Sequence, residues 1–269
     1  MRIGAFLLFL TCSQVFGVDQ WTGSASEVYS FTNDSPIIGI LAQPSNNNHP
    51  ACGGKCEYIA ASYVKYVESA GARVVPISYY ANNSHLDYLF NSLNGFLFPG
   101  GETEFPISAQ HIFDRTIEAN DRGDYTPLWG TCLGFEWLFC AAAANASVLD
   151  SIVGTLNVTL PLQWTSAALT SRLLSRAGPR VRRALSGRHV AFNQHNFGVY
   201  AATLDRTPAL SDMFTVLSTS QDATGRRFVS TVEARGYPIY GTQWHPEKNI
   251  FECAPSVRPG GQGRREERR

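Results

Sequence analysis

The chain has 269 residues, of which 44% are hydrophobic, and its formal net charge at pH 7 is zero. This length and apolar content are sufficient for one large domain with a complete hydrophobic core. A net charge of zero gives no bulk electrostatic attraction to nucleic acid or to an anionic membrane, so we predict neither as a partner. After the N-terminus, no stretch of about 20 apolar residues occurs that could span a bilayer.

The N-terminus has the composition of an export signal. Arg2 supplies a positive start, and residues 3–10 form an apolar run that is too short to span a bilayer. Val15 and Gly17 make a small-residue cleavage site. We therefore predict a signal peptide at residues 1–17, with a buried first strand or helix as the alternative.

The cysteine count fits an exported protein. Five cysteines follow the predicted signal peptide: Cys52, Cys56, Cys132, Cys140 and Cys253. An oxidising compartment permits disulfides, and we predict a bridge between Cys52 and Cys56, which flank a short loop. The odd number fits a working thiol at Cys132. Metal binding is a weaker alternative because no His or Cys cluster has the spacing of metal ligands, so we predict no metal site.

Three glycosylation sequences agree with export. They begin at Asn82, Asn145 and Asn157, and we predict that each carries a glycan on an exposed loop. One such sequence can occur by chance, whereas three together with a signal peptide indicate passage through the secretory pathway.

Strand and helix patterns alternate through the first half of the chain. Continuous apolar runs predict buried strands, and apolar residues at helical spacing predict helices. The predicted strands are residues 37–41, 73–77, 95–98 and 125–129, and the predicted helices are residues 58–70, 85–91, 107–122 and 135–144. This alternation predicts an α/β fold with a mostly parallel sheet flanked by helices. Catalytic groups in such sheets gather beyond the C-terminal ends of the strands.

The second half is less regular. We predict strands at residues 152–160, 190–192, 214–218, 228–232 and 239–243. Residues 172–183 are basic and are predicted to be helical. Residues 253–269 are rich in Pro, Gly and Arg and have no apolar face, so we predict a disordered basic tail after a single domain at residues 18–252.

A cysteine between two glycines has the pattern of a nucleophile. An apolar run ends at Gly130, Cys132 and Gly134 follow, and a predicted helix comes next. This is the strand–nucleophile–helix elbow with Cys in place of Ser. The helix would point its N-terminal amides at the sulfur and favour the thiolate. The alternative is a buried cysteine in a tight turn.

A cysteine nucleophile needs a base and a group that orients this base. His245 directly follows the last predicted strand and is our candidate base. Glu247 lies two residues further on and could hold the imidazole in the correct tautomer. Taken alone, a His-Pro-Glu sequence is more often a surface histidine beside an acid.

An oxyanion needs hydrogen-bond donors. Gly100 and Gly101 follow a predicted strand, and we predict that their backbone N–H groups and that of Leu133 form an oxyanion hole, with an ordinary turn as the alternative. His195 lies in a polar segment with aromatic flanks. It could bind a substrate carboxylate or act as a competing base.

Three short sequences at strand ends identify a resemblance. They are PGG from Pro99, GTCLGFE from Gly130 and WHPE from Trp244, and together they resemble the class I glutamine amidotransferase superfamily. Longer strings, such as YIAASYVKYVESAGARVVPI from Tyr58 and QWHPEKNIFE from Gln243, are similar to the γ-glutamyl hydrolase family. The resemblance covers residues 36–252.

The resemblance implies a cysteine hydrolase that cleaves γ-glutamyl bonds in poly-γ-glutamyl folates and antifolates through a γ-glutamyl thioester. It implies that Cys132 is the nucleophile, His245 the catalytic histidine, Glu247 the orienting acid and His195 a residue of substrate handling. It also implies a homodimer without a cofactor that works in the lysosome and outside the cell.

The C-terminus departs from that family. Cys253 stands where the family has a tryptophan, and the basic tail replaces a C-terminal helix. We therefore expect that helix to be missing, with lower stability as the result. A second hypothesis is an inactive truncated chain that acts only in binding or dimerisation. A third, an amidotransferase glutaminase domain, is disfavoured by the export signal and by the absence of a following synthetase sequence.

Overall fold

The computed structural model describes residues 34–45 and 56–252. The predicted signal peptide, Cys52 and the predicted basic tail lie outside these residues. Cys56 is disulfide-bonded, and its pairing with Cys52 stays a prediction. Cys132 and Cys140 are free and buried. No helix among the described residues has the length and apolar character needed to cross a membrane.

The elements alternate in the first half and become strand-rich in the second. The strands are β1 Ile37–Leu41, β2 Gln43–Pro44, β3 Glu57–Tyr58, β4 Arg73–Ile77, β5 Gly95–Phe98, β6 Leu128–Thr131, β7 Asp150–Ser151, β8 Val158–Leu160, β9 Gln163–Trp164, β10 Ala191–Asn193, β11 Phe197–Gly198, β12 Phe214–Gln221, β13 Arg227–Ala234 and β14 Ile239–Thr242. The helices are α1 Ala61–Ser69, α2 Asn83–Phe90, α3 Ile107–Asp121, α4 Leu133–Ala143, α5 Pro179–Gly187, α6 Ala201–Arg206, α7 Pro208–Ser211 and α8 Lys248–Phe251.

An eight-stranded sheet forms the centre of the domain, in the order β4-β1-β5-β6-β14-β13-β12-β9. The pairings from β4 to β14 are parallel. The pairings from β14 to β9 are antiparallel. The prediction of an α/β fold with a mostly parallel sheet flanked by helices is therefore confirmed.

The two faces of the sheet carry separate hydrophobic clusters because side chains alternate along each strand. On β5, Phe96 and Phe98 face a cluster that is covered by α2, α3, α4 and α7. Leu97 faces the opposite side, where Ile38 of β1 and Val67 of α1 also pack. With both faces covered, the central parallel strands β1, β5, β6 and β14 are mostly apolar, as their sequences predict.

The strand register brings three segments to one edge of the sheet. Gly130 of β6 lies opposite Phe98 of β5 and also opposite Gly241 of β14. The residues that follow these strands are the glycine pair after β5, Cys132 after β6 and His245 after β14. The topology thus places all three predicted site segments at the C-terminal ends of neighbouring parallel strands.

The predicted helix at residues 172–183 is wrong in its position. The helix α5 begins at Pro179, and residues 172–176 form turns. Proline is favoured at the first position of a helix, and it pushes the preceding residue, Gly178, out of the α region. Gly178 has an extended backbone, with φ −61° and ψ 153°.

The predicted strand at residues 152–160 is correct only for its last three residues, which form β8. Only β7 and β8 are extended, and an irregular segment separates them. Gly154 has φ 76° and Asn157 has φ 52° within this segment. Positive φ interrupts a strand, and glycine and asparagine tolerate it better than other residues.

Candidate active site

Cys132 lies in a strained turn between β6 and α4. Its backbone has φ 53° and ψ −110°, which is uncommon for a residue other than glycine. The turn is fixed on one side because Cys132 N–H donates to Thr242 O at 2.8 Å. It is fixed on the other side because Gly134 has no side chain, and an added Cβ there would collide with Phe98 O.

The Cys132 sulfur is a buried thiol rather than a stabilised thiolate. It donates to Gln194 O at 3.5 Å. Burial raises the pKa of Cys132 well above its usual value, and the carboxylates of Glu136 and Glu247 raise this pKa further. The Leu133 N–H lowers the pKa, as the helix position predicts, but this effect is smaller. The amide at the start of α4 thus acts in the expected direction, but burial and the two carboxylates outweigh it.

His245 and Glu247 form a buried pair. His245 Nδ1 lies 2.7 Å from Glu247 Oε1, and the side chains are 5% and 0% exposed. The carboxylate fixes the tautomer in which Nδ1–H is the donor, which leaves Nε2 with a lone pair. Nε2 of His245 is buried and has no hydrogen-bond partner among the described residues. It is the atom that can receive a proton.

Cys132 and His245 line the same cavity, which we call the His245 pocket. Its volume is about 400 Å³, and Tyr63, Gly100, Gly101 and Lys248 are among its other lining residues. A Cβ added to Gly100 would lie 2.9 Å from His245 Cε1 and 3.3 Å from Cys132 Cβ. Both side chains therefore converge above this glycine.

Tyr63 of α1 is a site residue that the sequence patterns did not reveal. Gly100 N–H donates to Tyr63 Oη at 2.7 Å, and this oxygen lies 3.4 Å from His245 Nδ1. Tyr63 also hydrogen-bonds Glu247, and burial raises its pKa well above the usual value, so it stays a hydroxyl. In the sequence it is marked only as one apolar position of a predicted helix.

The Tyr63 contact corrects the predicted oxyanion hole. The Gly100 amide already has an acceptor and is not free for a second one. Leu133 N–H faces the sulfur, and Gly101 lines both cavities beside it, so these two amides remain the candidates. Neither Gly100 nor Gly101 has a positive φ. A Cβ at Gly100 would lie 2.7 Å from Tyr63 Oη, and a Cβ at Gly101 would displace the end of the Gln43 side chain.

A second cavity of about 390 Å³ is also lined by Cys132, and we call it the His195 pocket. Glu136 lines it and is 4% exposed. Gln243 Nε2 donates to Glu136 Oε1 at 2.9 Å, while burial raises the pKa of Glu136 to about 7. Glu136 lies one helical turn after Cys132, and this spacing is the sequence signal that could have identified it.

His195 is buried in the wall of this second pocket. Its Nδ1 lies 2.8 Å from Phe197 O, and its Nε2 lies 3.1 Å from Asn193 Oδ1. Burial lowers the pKa of His195 to about 4. The neutral ring therefore donates from Nδ1–H to Phe197 O, and its Nε2 faces the Asn193 side chain. These contacts favour a role of His195 in positioning the segment around it, and its role in substrate handling stays a prediction.

The predicted glycosylation residues lie on the surface. Asn82, Asn145 and Asn157 are all exposed. The first two cap short helices through their side-chain oxygens. Their modification stays a prediction. Within the part of the chain that the structure describes, no group of three or more His, Cys, Asp or Glu could hold a metal ion.

Comparison with known proteins gives a family and several relatives. The peptidase C26 family model matches residues 36–247. Gamma-glutamyl hydrolase B of Dictyostelium discoideum is 40% identical over 225 residues, covering 81% of this chain and 64% of that protein. The Homo sapiens gamma-glutamyl hydrolase is 38% identical over 232 residues, covering 84% and 72%. The chain thus spans about two thirds of the length of these relatives.

A solved structure shows the same fold. The glutaminase domain of Trypanosoma brucei CTPS, with bound acivicin, has a TM-score of 0.51 and 14% sequence identity. The likeness covers 79% of this chain and 86% of that domain. It confirms the glutamine amidotransferase-like fold.

Proposed function

We propose, because this chain belongs to the peptidase C26 family, that it hydrolyses γ-glutamyl bonds with Cys132 as the nucleophile. The observation that carries the proposal is the Cys132–His245–Glu247 arrangement at the junction of two cavities. The names of relatives in Dictyostelium and Homo support the γ-glutamyl specificity. The substrates that we propose are poly-γ-glutamyl folates and antifolates.

The proposed reaction uses one proton acceptor twice. As the Cys132 sulfur attacks the γ-carbonyl carbon, the thiol proton passes to His245 Nε2, and Glu247 stabilises the imidazolium. The N–H groups of Leu133 and Gly101 stabilise the oxyanion. The imidazolium then protonates the leaving nitrogen, and the carbon–nitrogen bond breaks to give a γ-glutamyl thioester. His245 next takes a proton from water, which cleaves the thioester and restores the thiol.

The raised pKa of Cys132 makes His245 essential to this scheme. A thiol with a raised pKa ionises little on its own, so removal of its proton must accompany attack on the substrate. In this scheme one of the two cavities that Cys132 lines receives the acyl group and the other receives the leaving group. We also propose a secreted or lysosomal homodimer, which the sequence signals and the family resemblance support.

The test is incubation with pteroyl-polyglutamate followed by mass analysis of the products. We expect shortened γ-glutamyl chains and free glutamate or glutamyl peptides, and a γ-glutamyl adduct on Cys132 after rapid acid quenching. Cys132→Ala should lower kcat by about 10,000-fold or more. Intact substrate with a folded protein would support the inactive binding partner instead. Hydrolysis of free glutamine alone would support a glutaminase.

A further inference from the structure

The zero net charge of the chain conceals a strongly basic segment. Between Asp150 and Asp205 there is no aspartate or glutamate. The same segment contains six arginines: Arg172, Arg176, Arg180, Arg182, Arg183 and Arg188. Such local asymmetry indicates an anionic partner even when the overall charge is balanced.

Three of these arginines form an exposed group on and just after α5, which we call the arginine patch: Arg180, Arg183 and Arg188. Their side chains have no hydrogen bond or ion pair with the described residues. The opposite face of α5 is anchored, because Val181 and Leu185 pack with Leu162 and Trp244. Like charges three residues apart destabilise a helix slightly, so folding does not explain them.

The arginine patch lies close to the His245 pocket. Lys248 lines that pocket, and the next residue, Asn249, donates from Nδ2 to Val190 O at 2.7 Å. Val190 comes two residues after Arg188. Adding Cα spacings along this path gives a separation on the order of 15 Å between Lys248 and Arg188, the patch residue that this path reaches.

We propose that the arginine patch binds the anionic poly-γ-glutamyl chain of a long substrate where that chain leaves the His245 pocket. This inference rests on the proposed function and extends it to the length of the glutamate chain on the substrate. Each γ-linked glutamate carries one free α-carboxylate and spans about 6 Å when extended, so about three further residues reach the patch. Guanidinium groups pair with carboxylates in bidentate geometry.

Both the position and the charge of the arginine patch favour the poly-γ-glutamyl chain as its ligand. An anionic lipid surface or a sulfated glycan would offer negative charge, but neither emerges from the cavity that contains Cys132. Glu102 and Glu252 are acidic groups near the pocket. Lys248 Nζ pairs with Glu252 at 2.6 Å, whereas the three arginines of the patch have no ion pair with the described residues.

The test compares pteroyl-diglutamate with pteroyl-hexaglutamate on the full chain. In the variant R180Q/R183Q/R188Q we expect KM for the hexaglutamate to rise about tenfold. KM for the diglutamate and both kcat values should change by less than about twofold. For the parent chain, high salt should reduce the difference in KM between the hexaglutamate and the diglutamate, because exposed charges are screened.

Two matched variants control for folding and for total charge. R180K/R183K/R188K keeps the charge and should retain most of the preference for the long substrate. R73Q/R206Q/R227Q removes three exposed arginines elsewhere and should leave the preference unchanged. Equal KM changes for both substrates in the patch variant, or none, would overturn the proposal.

Direct binding separates this inference from the proposed function. Fluorescence anisotropy of labelled hexa-γ-glutamate with Cys132→Ala chains should show about tenfold weaker affinity when the patch is neutralised. If no substrate is hydrolysed, the proposed function fails, and this affinity still decides the patch. Unchanged affinity, with lost binding to anionic vesicles or heparin, would assign the patch to another partner and overturn the proposal.

Discussion

Two histidines lie beside the same cysteine, and their surroundings give them opposite chemical capacities. His245 contacts Glu247 through Nδ1 at 2.7 Å and has no described partner for Nε2. His195 faces protein oxygens with both ring nitrogens, and burial lowers its pKa to about 4. Burial is nearly the same for both residues, since His245 is 4% exposed and His195 is 5% exposed.

The difference teaches that the partners of a histidine, rather than its proximity to a nucleophile, decide its role. A carboxylate on one nitrogen leaves the other nitrogen basic and stabilises the cation that forms when it takes a proton. A buried ring with a lowered pKa stays neutral and donates from one nitrogen only. In His195 this donor is Nδ1–H, and its hydrogen bond to Phe197 O fixes the backbone around the ring. We therefore expect His245 to move protons and His195 to position the segment that carries Gln194, whose carbonyl accepts from Cys132.

The largest effect should follow His245→Asn. The amide can still donate to Glu247 but cannot accept a proton from the thiol. We expect kcat for a γ-glutamyl substrate to fall by about 1,000- to 10,000-fold, with a similar melting temperature. Steady-state kinetics and thermal denaturation measure the two quantities. A loss of less than tenfold would remove His245 from proton transfer.

Glu247→Gln should have the next largest effect. The neutral amide cannot stabilise an imidazolium, and its N–H group can favour the wrong tautomer of His245. We expect kcat to fall by about 100- to 1,000-fold while KM changes little. The imidazole resonances of His245 in NMR spectra should show the altered tautomer. Unchanged kcat would mean that the 2.7 Å contact only supports the fold.

His195→Asn should have a much smaller effect on the rate. The substitution leaves Phe197 O without its donor, so we expect a loss of about 1–3 kcal/mol in the free energy of unfolding. Activity should fall about tenfold through displacement of the Gln194 segment. Because His195 is neutral above its pKa of about 4, the shape of the rate profile between pH 5 and 8 should not change. If the variant instead loses the fall in rate toward acidic pH, His195 is the base.

The sequence predicts the elements that bring the site together, because the relevant rule depends on topology. The sequences PGG, GTC and QWHPE lie at the C-terminal ends of strands β5, β6 and β14. Parallel strands end at one edge of a sheet. This was sufficient to bring Cys132 and His245 together across more than 100 intervening positions. The chain segments with Gly178 and Gly154 were mispredicted because periodicity does not encode the backbone angles that end an element.

The chemical states within the site could not be predicted in this way. The Gly100 amide is occupied by Tyr63, which comes from a helix on one face of the sheet. The pKa of Cys132 rises because burial and two carboxylates outweigh one amide, and these contributions require coordinates. Glu136 is visible in the sequence as a charged residue after the cysteine, but its burial is not.

Substitution of Glu136 should change the rate least of the four residues, and its main effect should be on the free energy of unfolding. Its pKa is about 7 in the folded chain and 4.5 as the reference value. The folded state therefore binds its proton more tightly, so the free energy of unfolding should fall as pH rises from 4.5 to 7. Glu136→Gln removes this fall, and its amide can donate to Gln243 Oε1, which is buried without a described partner. We expect the stability of the variant, relative to the parent, to increase by up to about 3 kcal/mol across this range.

Denaturant unfolding at several pH values measures the difference, with the exposed Glu68→Gln as the matched control. Parallel curves for parent and variant would show that the Glu136 carboxyl is ionised in the folded chain, and that it adds its full charge to the surroundings of Cys132 well below pH 7.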